Sequence, residues 1–246
     1  MAYIKQTAIV LRKKTLRKGN RWYTLFCKDS GRIDVLARSA ASSKSKLAGH
    51  LEPGTMCDVM LAPGKATVHL AGVDTIKSYR NINLELETAI LKISALAATN
   101  DLIFDEHGSE ETFNLLDRFL TDLDNTELKV WQKQRLSDLF TINLLSIAGF
   151  EPNLSLGHKA EKFSFHTASL IGKELLEDSS IDVDKNLIKL FEFMLSKKIA
   201  WEEKRDWLVK VKQSEKAFIS LHALISKYYF YQVNRELTDI KQIYGS

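Results

Sequence analysis

The hydrophobic period of this 246-residue chain changes once, near residue 80, and that change limits what it can fold into. Before it, apolar residues fall at every second position in short runs. After it, they fall three and four apart. Gln6–Leu11 (QTAIVL) is β-branched and apolar and runs into the basic Arg12–Lys14. In WYTLFC, Tyr23, Leu25 and Cys27 share one face of a strand, and Trp22, Thr24 and Phe26 share the other. Lys28-Asp29-Ser30-Gly31 is a turn signal, after which Ile33, Val35 and Ala37 alternate with Arg32, Asp34 and Arg38. Strand character returns at Met56–Leu61, turns at Ala62–Lys65, and resumes through Ala66, Val68 and Leu70; Gly72 breaks the alternation and signals a bulge.

Five short strands with a non-strand insert between the third and fourth are the layout of an OB-fold. An SH3-like barrel shares the strand pattern, and the insert favours the OB-fold. That insert, ARSAASSKSKLAGHLEPGT (Ala37–Thr55), carries Arg38, Lys44 and Lys46 among four serines, with Leu47 and Leu51 as its anchors to the barrel.

Downstream the pattern is helical. Leu86, Ala89, Ile90, Ile93, Leu96 and Ala97 form one apolar stripe. Ser109 is placed to cap a helix bearing Phe113, Leu116, Leu120 and Leu123, with Glu110 and Glu111 at its positive end. A third helix spans Glu127–Ala148, carries Leu128, Trp131, Leu139, Ile142 and Leu145, and stops at Gly149 with Pro152 beyond. Leu187, Leu190, Phe191, Met194 and Leu195 mark another; Phe218, Leu221, Ile225, Tyr228 and Tyr229 mark the last. The expected class is α+β: an N-terminal OB-fold β-barrel over 1–80 followed by an all-α helical domain over 81–246.

Charge divides the chain at the same place. Residues 1–80 hold fifteen Lys and Arg against five Asp and Glu, a formal +10; the remainder holds twenty against twenty-six, or −6. A basic unit of this size has the electrostatic footprint of a partner for a polyanion. Catalytic patterns do not emerge. The chain has no phosphate-binding loop, G-x-S-x-G elbow, H-E-x-x-H or zinc-type C-x-x-C pair, and its six histidines are dispersed, as surface or loop residues. Cys27 and Cys57 sit in apolar runs and read as core, not as a disulfide or nucleophile. No cofactor or metal site is expected, no membrane span, and a cytoplasmic, non-enzymatic protein.

The basic residues fall in two clusters: Arg12, Lys13, Lys14, Arg17, Lys18 and Arg21 around the first turn, and Arg32, Arg38, Lys44 and Lys46 around the third strand and insert. Brought to one side of a barrel, they make a groove for a phosphate backbone. Contact with about six phosphates gives a single-strand salt slope of about −4 on log axes. Trp22 is open to two roles, stacking on an unpaired base or packing in the barrel.

The order TAIVLR, TLF, GRI, ARSA and SKLAGHLEP (Thr7–Arg12, Thr24–Phe26, Gly31–Ile33, Ala37–Ala40 and Ser45–Pro53) resembles the N-terminus of the bacterial recombination mediator family RecO. The helical part resembles it more loosely, through Gly149-Phe150-x-Pro152 after a long helix. The resemblance implies a nucleoid-associated DNA repair and recombination protein that binds single- and double-stranded DNA and anneals complementary strands. It implies contact with the C-terminal tail of single-strand-binding protein, and work with RecR in replacing that protein by RecA. An acidic, apolar-ended tail needs an apolar pocket rimmed by cations, for which Lys129, Lys133 and Arg135 near Trp131, or Lys204, Arg205 and Lys210 near Trp207, are the candidates. Two departures stand out. Ser39 replaces a frequent glycine, and the segment where many members hold four zinc-binding cysteines reads NLSLGHKAEKFSFH, with none. That segment is expected to be held by Leu154, Leu156, Phe163 and Phe165 in place of zinc. The alternatives are an RNA-binding OB module that docks on a ribonucleoprotein, and a protein adaptor whose basic patch receives an acidic partner.

Overall fold

A computed structural model describes residues 3–16, 19–38, 48–103, 110–174, 179–211 and 215–237. The chain divides into two compact units, Met1–Asn125 and Thr126–Ser246. No helix among the described residues is long and apolar enough to cross a membrane.

In the first unit, β1 (Ile4–Thr15), β2 (Arg21–Cys27), β3 (Gly31–Ala37), β4 (Met56–Pro63) and β5 (Val68–Lys77) close a barrel in the order β1-β2-β3-β5-β4. β3 and β5 pair in parallel, and every other pair is antiparallel. This is the OB-fold arrangement. The alternation read from the sequence sets its inside: Ala8, Val10, Tyr23, Leu25, Cys27 and Val35 all point into one buried cluster with Cys57, Val59 and Leu61. Gly31, at φ +70°, takes the left-handed turn position that an L side chain resists, so β2 and β3 meet in a tight hairpin. The β4–β5 register shifts between Met60 and Leu61, opposite Gly72 and Leu70, as the break at Gly72 implied. Of the insert, the described end makes a short 3-10 turn at Ala48–His50, and Leu51 is buried in the barrel core. Ser39, Lys44, Lys46 and Leu47 lie outside the described residues.

The barrel's outer face is apolar where helices cover it. Ile9 and Phe26 point away from the interior yet are fully buried. α1 (Leu86–Leu102) packs on β1, and α2 (Glu110–Leu123) sets Phe113 against Phe26 with ring centroids 5.8 Å apart. Phe113, Leu116, Leu120 and Leu123 are all buried, as their spacing required; Ser109 lies outside the described residues. α1 differs from the expected stripe. Leu86, Ile93 and Ala97 are exposed, whereas Leu91, Ala95, Ala98 and Leu102 are buried. This helix is apolar on most of its circumference, so periodicity does not single out a face, and the small Ser94, Ala95 and Ala98 mark the side that packs closely. The link into α1 is fastened to α2: Asp124 Oδ1 accepts from the backbone N–H of Asn81 at 2.7 Å and of Ile82 at 3.2 Å, and Asp117 accepts from Lys77 Nζ at 2.8 Å.

In the second unit, α3 (Val130–Ile147) packs against α4 (Lys185–Leu195), α5 (Trp201–Lys210) and α6 (Glu215–Val233). α3 ends in a Schellman motif: Gly149 at φ +91° donates to Ser146 O at 3.1 Å, and Phe150 N donates to Leu145 O at 2.9 Å. α4 is capped by Asp184, whose Oδ1 accepts from Asn186 N and Leu187 N at 2.9 and 2.7 Å. This unit holds two elements beyond those the sequence suggests, α5 and a sheet of three-residue strands. β6 (Lys162–Ser164), β7 (Ser169–Ile171) and β8 (Ser180–Asp182) run in the order β7-β6-β8. The sheet forms within and after the cysteine-free segment, and aromatic packing holds it. Phe163 is edge-on to Phe191 at 5.8 Å and to Tyr228 at 5.5 Å, and Phe165 is buried. Leu156 is 38% exposed and takes no part in that packing, because it sits in the turn before the sheet, not on a strand.

Candidate nucleic-acid interface

A single extra residue in β1 decides where the first basic cluster points. Val10 pairs with Leu25 and Arg12 with Thr24, so Leu11 is bulged out of the register. Beyond the bulge, Arg12 and Lys14 lie on the outward row with Thr24 and Trp22, whereas Lys13 shares the inward row with Tyr23. Arg12 and Lys14 are exposed and have no salt bridge among the described residues. Lys13 is engaged instead, its Nζ donating to Glu52 Oε1 at 2.7 Å. Thr15, Arg21 and Ala37 meet in one row at the end of the barrel, which brings Arg21 and the exposed Arg38 to the same end as Lys14. Arg17, Lys18, Lys44 and Lys46 lie outside the described residues.

Trp22 does not belong to the barrel interior. It is half-buried on the outer face and lines a cleft of about 710 Å³ with Arg32, Asp34 and the β4–β5 hairpin residues Pro63, Gly64 and Thr67. Arg32, at the other end of β3, donates from Nη1 to the carbonyl of Asn100 in α1 at 3.2 Å. The structure therefore sets Arg12, Lys14 and Trp22 together on the outer face, with the exposed Arg38 at the same end and Arg21 half-buried on the inward row there. It fixes Arg32 at the cleft's edge and turns Lys13 towards Glu52. An aromatic plane beside exposed cations is the equipment of a single-strand binder.

In the second unit, the cations named for a partner divide by burial. Arg135 is buried with its guanidinium between two rings, 3.5 Å from the Phe218 centroid and 4.3 Å from that of Trp131. Its Nη1 donates to the carbonyls of Leu208 and Val211 at 3.0 and 3.1 Å, closing the end of α5. Lys204 is buried and donates to Met194 O at 2.7 Å, and burial lowers its pKa. Lys133 is buried as well. Lys129 and Lys210 remain exposed and Arg205 half-exposed. The two clusters are also one region: Gln132 Nε2 donates to Val209 O at 2.9 Å, joining the start of α3 to the end of α5. Trp131 and Trp207 are 46% and 36% exposed there.

His222 is not a surface histidine of the kind that the sequence suggests. The structure sets it half-buried between α6 and α3, with Nδ1 2.7 Å from Asp138 Oδ1. No sequence signal pairs residues 84 positions apart on two helices. Burial pushes the Cys27 and Cys57 thiols up to about 11 and about 12, the opposite of what a nucleophile needs. Among the described residues no group of three or more His, Cys, Asp or Glu is placed to hold a metal ion.

Residues 1–79 match the family described as "Recombination protein O N terminal", a match that spans the whole barrel. Curated relatives called "DNA repair protein RecO" extend the likeness. One from Dehalococcoides mccartyi is 33% identical over 150 residues, covering 61% of this chain and 58% of that protein. One from Acetivibrio thermocellus is 27% identical over 78% of this chain and 76% of that protein. One from Alkaliphilus metalliredigens is 22% identical over 94% of each. The chain thus spans somewhat more than half the length of the Dehalococcoides relatives it matches.

Proposed function

We propose, from the likeness to RecO proteins, that this chain is a DNA repair and recombination mediator whose barrel binds single- and double-stranded DNA and anneals complementary strands. The observation that carries this reading is the open basic face: the bulge at Leu11 aims Arg12 and Lys14 outward beside Trp22, with Arg21 and Arg38 at the same end. Cations on this face neutralise the phosphates of two strands and reduce their mutual repulsion, while base edges stay free to pair. No covalent step is required of the protein. Acting at the nucleoid in the cytoplasm, it would receive the acidic tail of single-strand-binding protein on the second unit, where Lys129, Arg205 and Lys210 accompany the exposed Trp131 and Trp207. RecR is the partner with which it would help exchange that protein for RecA.

The test is binding and annealing of labelled complementary oligonucleotides, bare and coated with single-strand-binding protein, by the wild type and by Arg12→Glu/Lys14→Glu. We expect annealing by the wild type, loss in the variant, and a salt slope of about −3 if four cations meet phosphates. Equal affinity for RNA with no annealing would favour a ribonucleoprotein module. Absence of salt-sensitive binding would favour a protein adaptor.

A further inference from the structure

The cleft beside Trp22 contains a group that phosphate binding does not use: a carboxylate on a basic face. Asp34 is exposed on the outward face of β3, where it pairs with Thr24 one row from Trp22. Its Oδ1 accepts from Thr24 Oγ1 at 2.6 Å, which orients the carboxylate, and Oδ2 accepts no hydrogen bond among the described residues. A fixed negative charge repels a phosphate, so the strand's backbone is kept to the Arg12–Lys14 side and a base is what can enter the cleft. Trp22 offers that base a stacking face. Arg32 lines the same cleft two residues before Asp34, and its hydrogen bond to Asn100 O holds the guanidinium while leaving further N–H groups to donate. The opposite wall is a closed turn, with Gly64 N donating to Thr67 O at 3.0 Å. A Cβ at Gly64 would lie 2.5 Å from that same oxygen, so the wall has no room for a side chain there.

Aromatic plane, fixed acceptor and fixed donor together discriminate among unpaired bases. Thymine presents one N–H between two carbonyls, which a carboxylate opposes. Adenine and cytosine each present an amino group beside a ring acceptor. Guanine alone sets two adjacent donors, N1–H and the 2-amino group, beside the acceptors O6 and N7. We infer that the cleft between β2–β3 and the β4–β5 hairpin is a subsite for one unpaired guanine of a bound DNA strand, stacked on Trp22, donating to Asp34 and accepting from Arg32. The inference rests on the DNA-binding reading above and adds base selectivity to it.

Fluorescence anisotropy with labelled oligothymidylate strands carrying one central dG, deoxyinosine, dA, dC or dT tests it on the full chain. The dG strand should bind about tenfold more tightly than the dT strand. Deoxyinosine, which lacks the 2-amino group, should lose part of that gain. Asp34→Asn should abolish the preference while the all-dT strand still binds with its salt dependence intact. Asp58→Asn alters the comparable Thr7–Asp58 pair, 2.7 Å on another face, and should leave the preference unchanged. Equal, salt-sensitive binding of all strands would overturn the guanine subsite and leave DNA binding standing. Retention of the dG preference in Asp34→Asn would also overturn it. Loss of binding to every strand in the wild type would overturn both readings. Displacement of the dG strand by dGMP at strand-like affinity would assign the cleft to a free nucleotide and overturn the strand assignment.

Discussion

Phe26 on β2 and Phe113 on α2 meet with ring centroids 5.8 Å apart, and both are buried although Phe26 faces away from the barrel interior. The helix thus closes a surface that the barrel's own strands leave apolar. Removing the Phe113 ring should cost about 3–5 kcal/mol, read as a lowered urea midpoint. A fragment of residues 1–80 should expose Ile9 and Phe26 and aggregate, whereas 1–125 should fold. Circular dichroism and sedimentation of the two fragments would check this.

Arg135 is held by two rings and two carbonyls, so its charge serves the end of α5. Arg135→Lys keeps the charge but loses the planar stack between the two rings and the Nη1 that donates to both carbonyls. We expect about 1–3 kcal/mol of destabilisation and altered Trp131 fluorescence. Lys129→Glu, on the exposed side of the same region, should leave stability within about 0.5 kcal/mol of wild type. Wild-type stability in Arg135→Lys would refute the bracing role.

Alkaline pH should loosen the barrel. Burial raises the folded-state pKa of Cys27 to about 11 and of Cys57 to about 12, against 9.0 for an ordinary thiol. The stability linked to these groups is therefore complete below pH 9 and is lost as pH climbs through 9 towards 11–12. Each thiol should contribute a decline of about 1.4 kcal/mol per pH unit within that window. Cys27→Ala/Cys57→Ala should be less stable at neutral pH through lost packing, yet show a shallower alkaline decline in urea titrations.

Gly149 adopts φ +91° to terminate α3. Gly149→Ala should cost about 1–3 kcal/mol, because the alanine Cβ strains that backbone conformation. Gly172 has no such φ and meets nothing within 4 Å of an added Cβ, so Gly172→Ala should be near neutral. Thermal denaturation of the two variants would separate them.

Period-two alternation made the barrel interior readable: Tyr23, Leu25 and Cys27 are inside because they must share a face, and Leu51 is their partner from the insert. The Schellman end of α3 was legible from Gly149 for the same kind of local reason. What escaped the sequence was non-local. Lys13 reads like Arg12 and Lys14 but meets Glu52, 39 residues away. Arg135 and Lys204 look like surface charge until backbone carbonyls, 73 and 10 residues off, are brought to them. In the sequence, Asp34 is a carboxylate among cations and reads as a simple counter-charge. Three-residue strands are too short to show any period, so the small sheet around Phe163 left only its aromatics as a trace.

The bulge at Leu11 makes the basic face a matter of parity. Exchanging Leu11 for another apolar residue preserves the count along β1, and Arg12 and Lys14 stay outside. Were Leu11 drawn into the ladder opposite Thr24, no letter would change, yet every later side chain of the strand would change sides: Arg12 and Lys14 would turn into an apolar interior and Lys13 would turn out, whereas deleting Leu11 would leave Arg12 opposite Thr24. For this stretch the constrained property is therefore the pairing register beyond the bulge, Arg12 against Thr24 and Lys14 against Trp22.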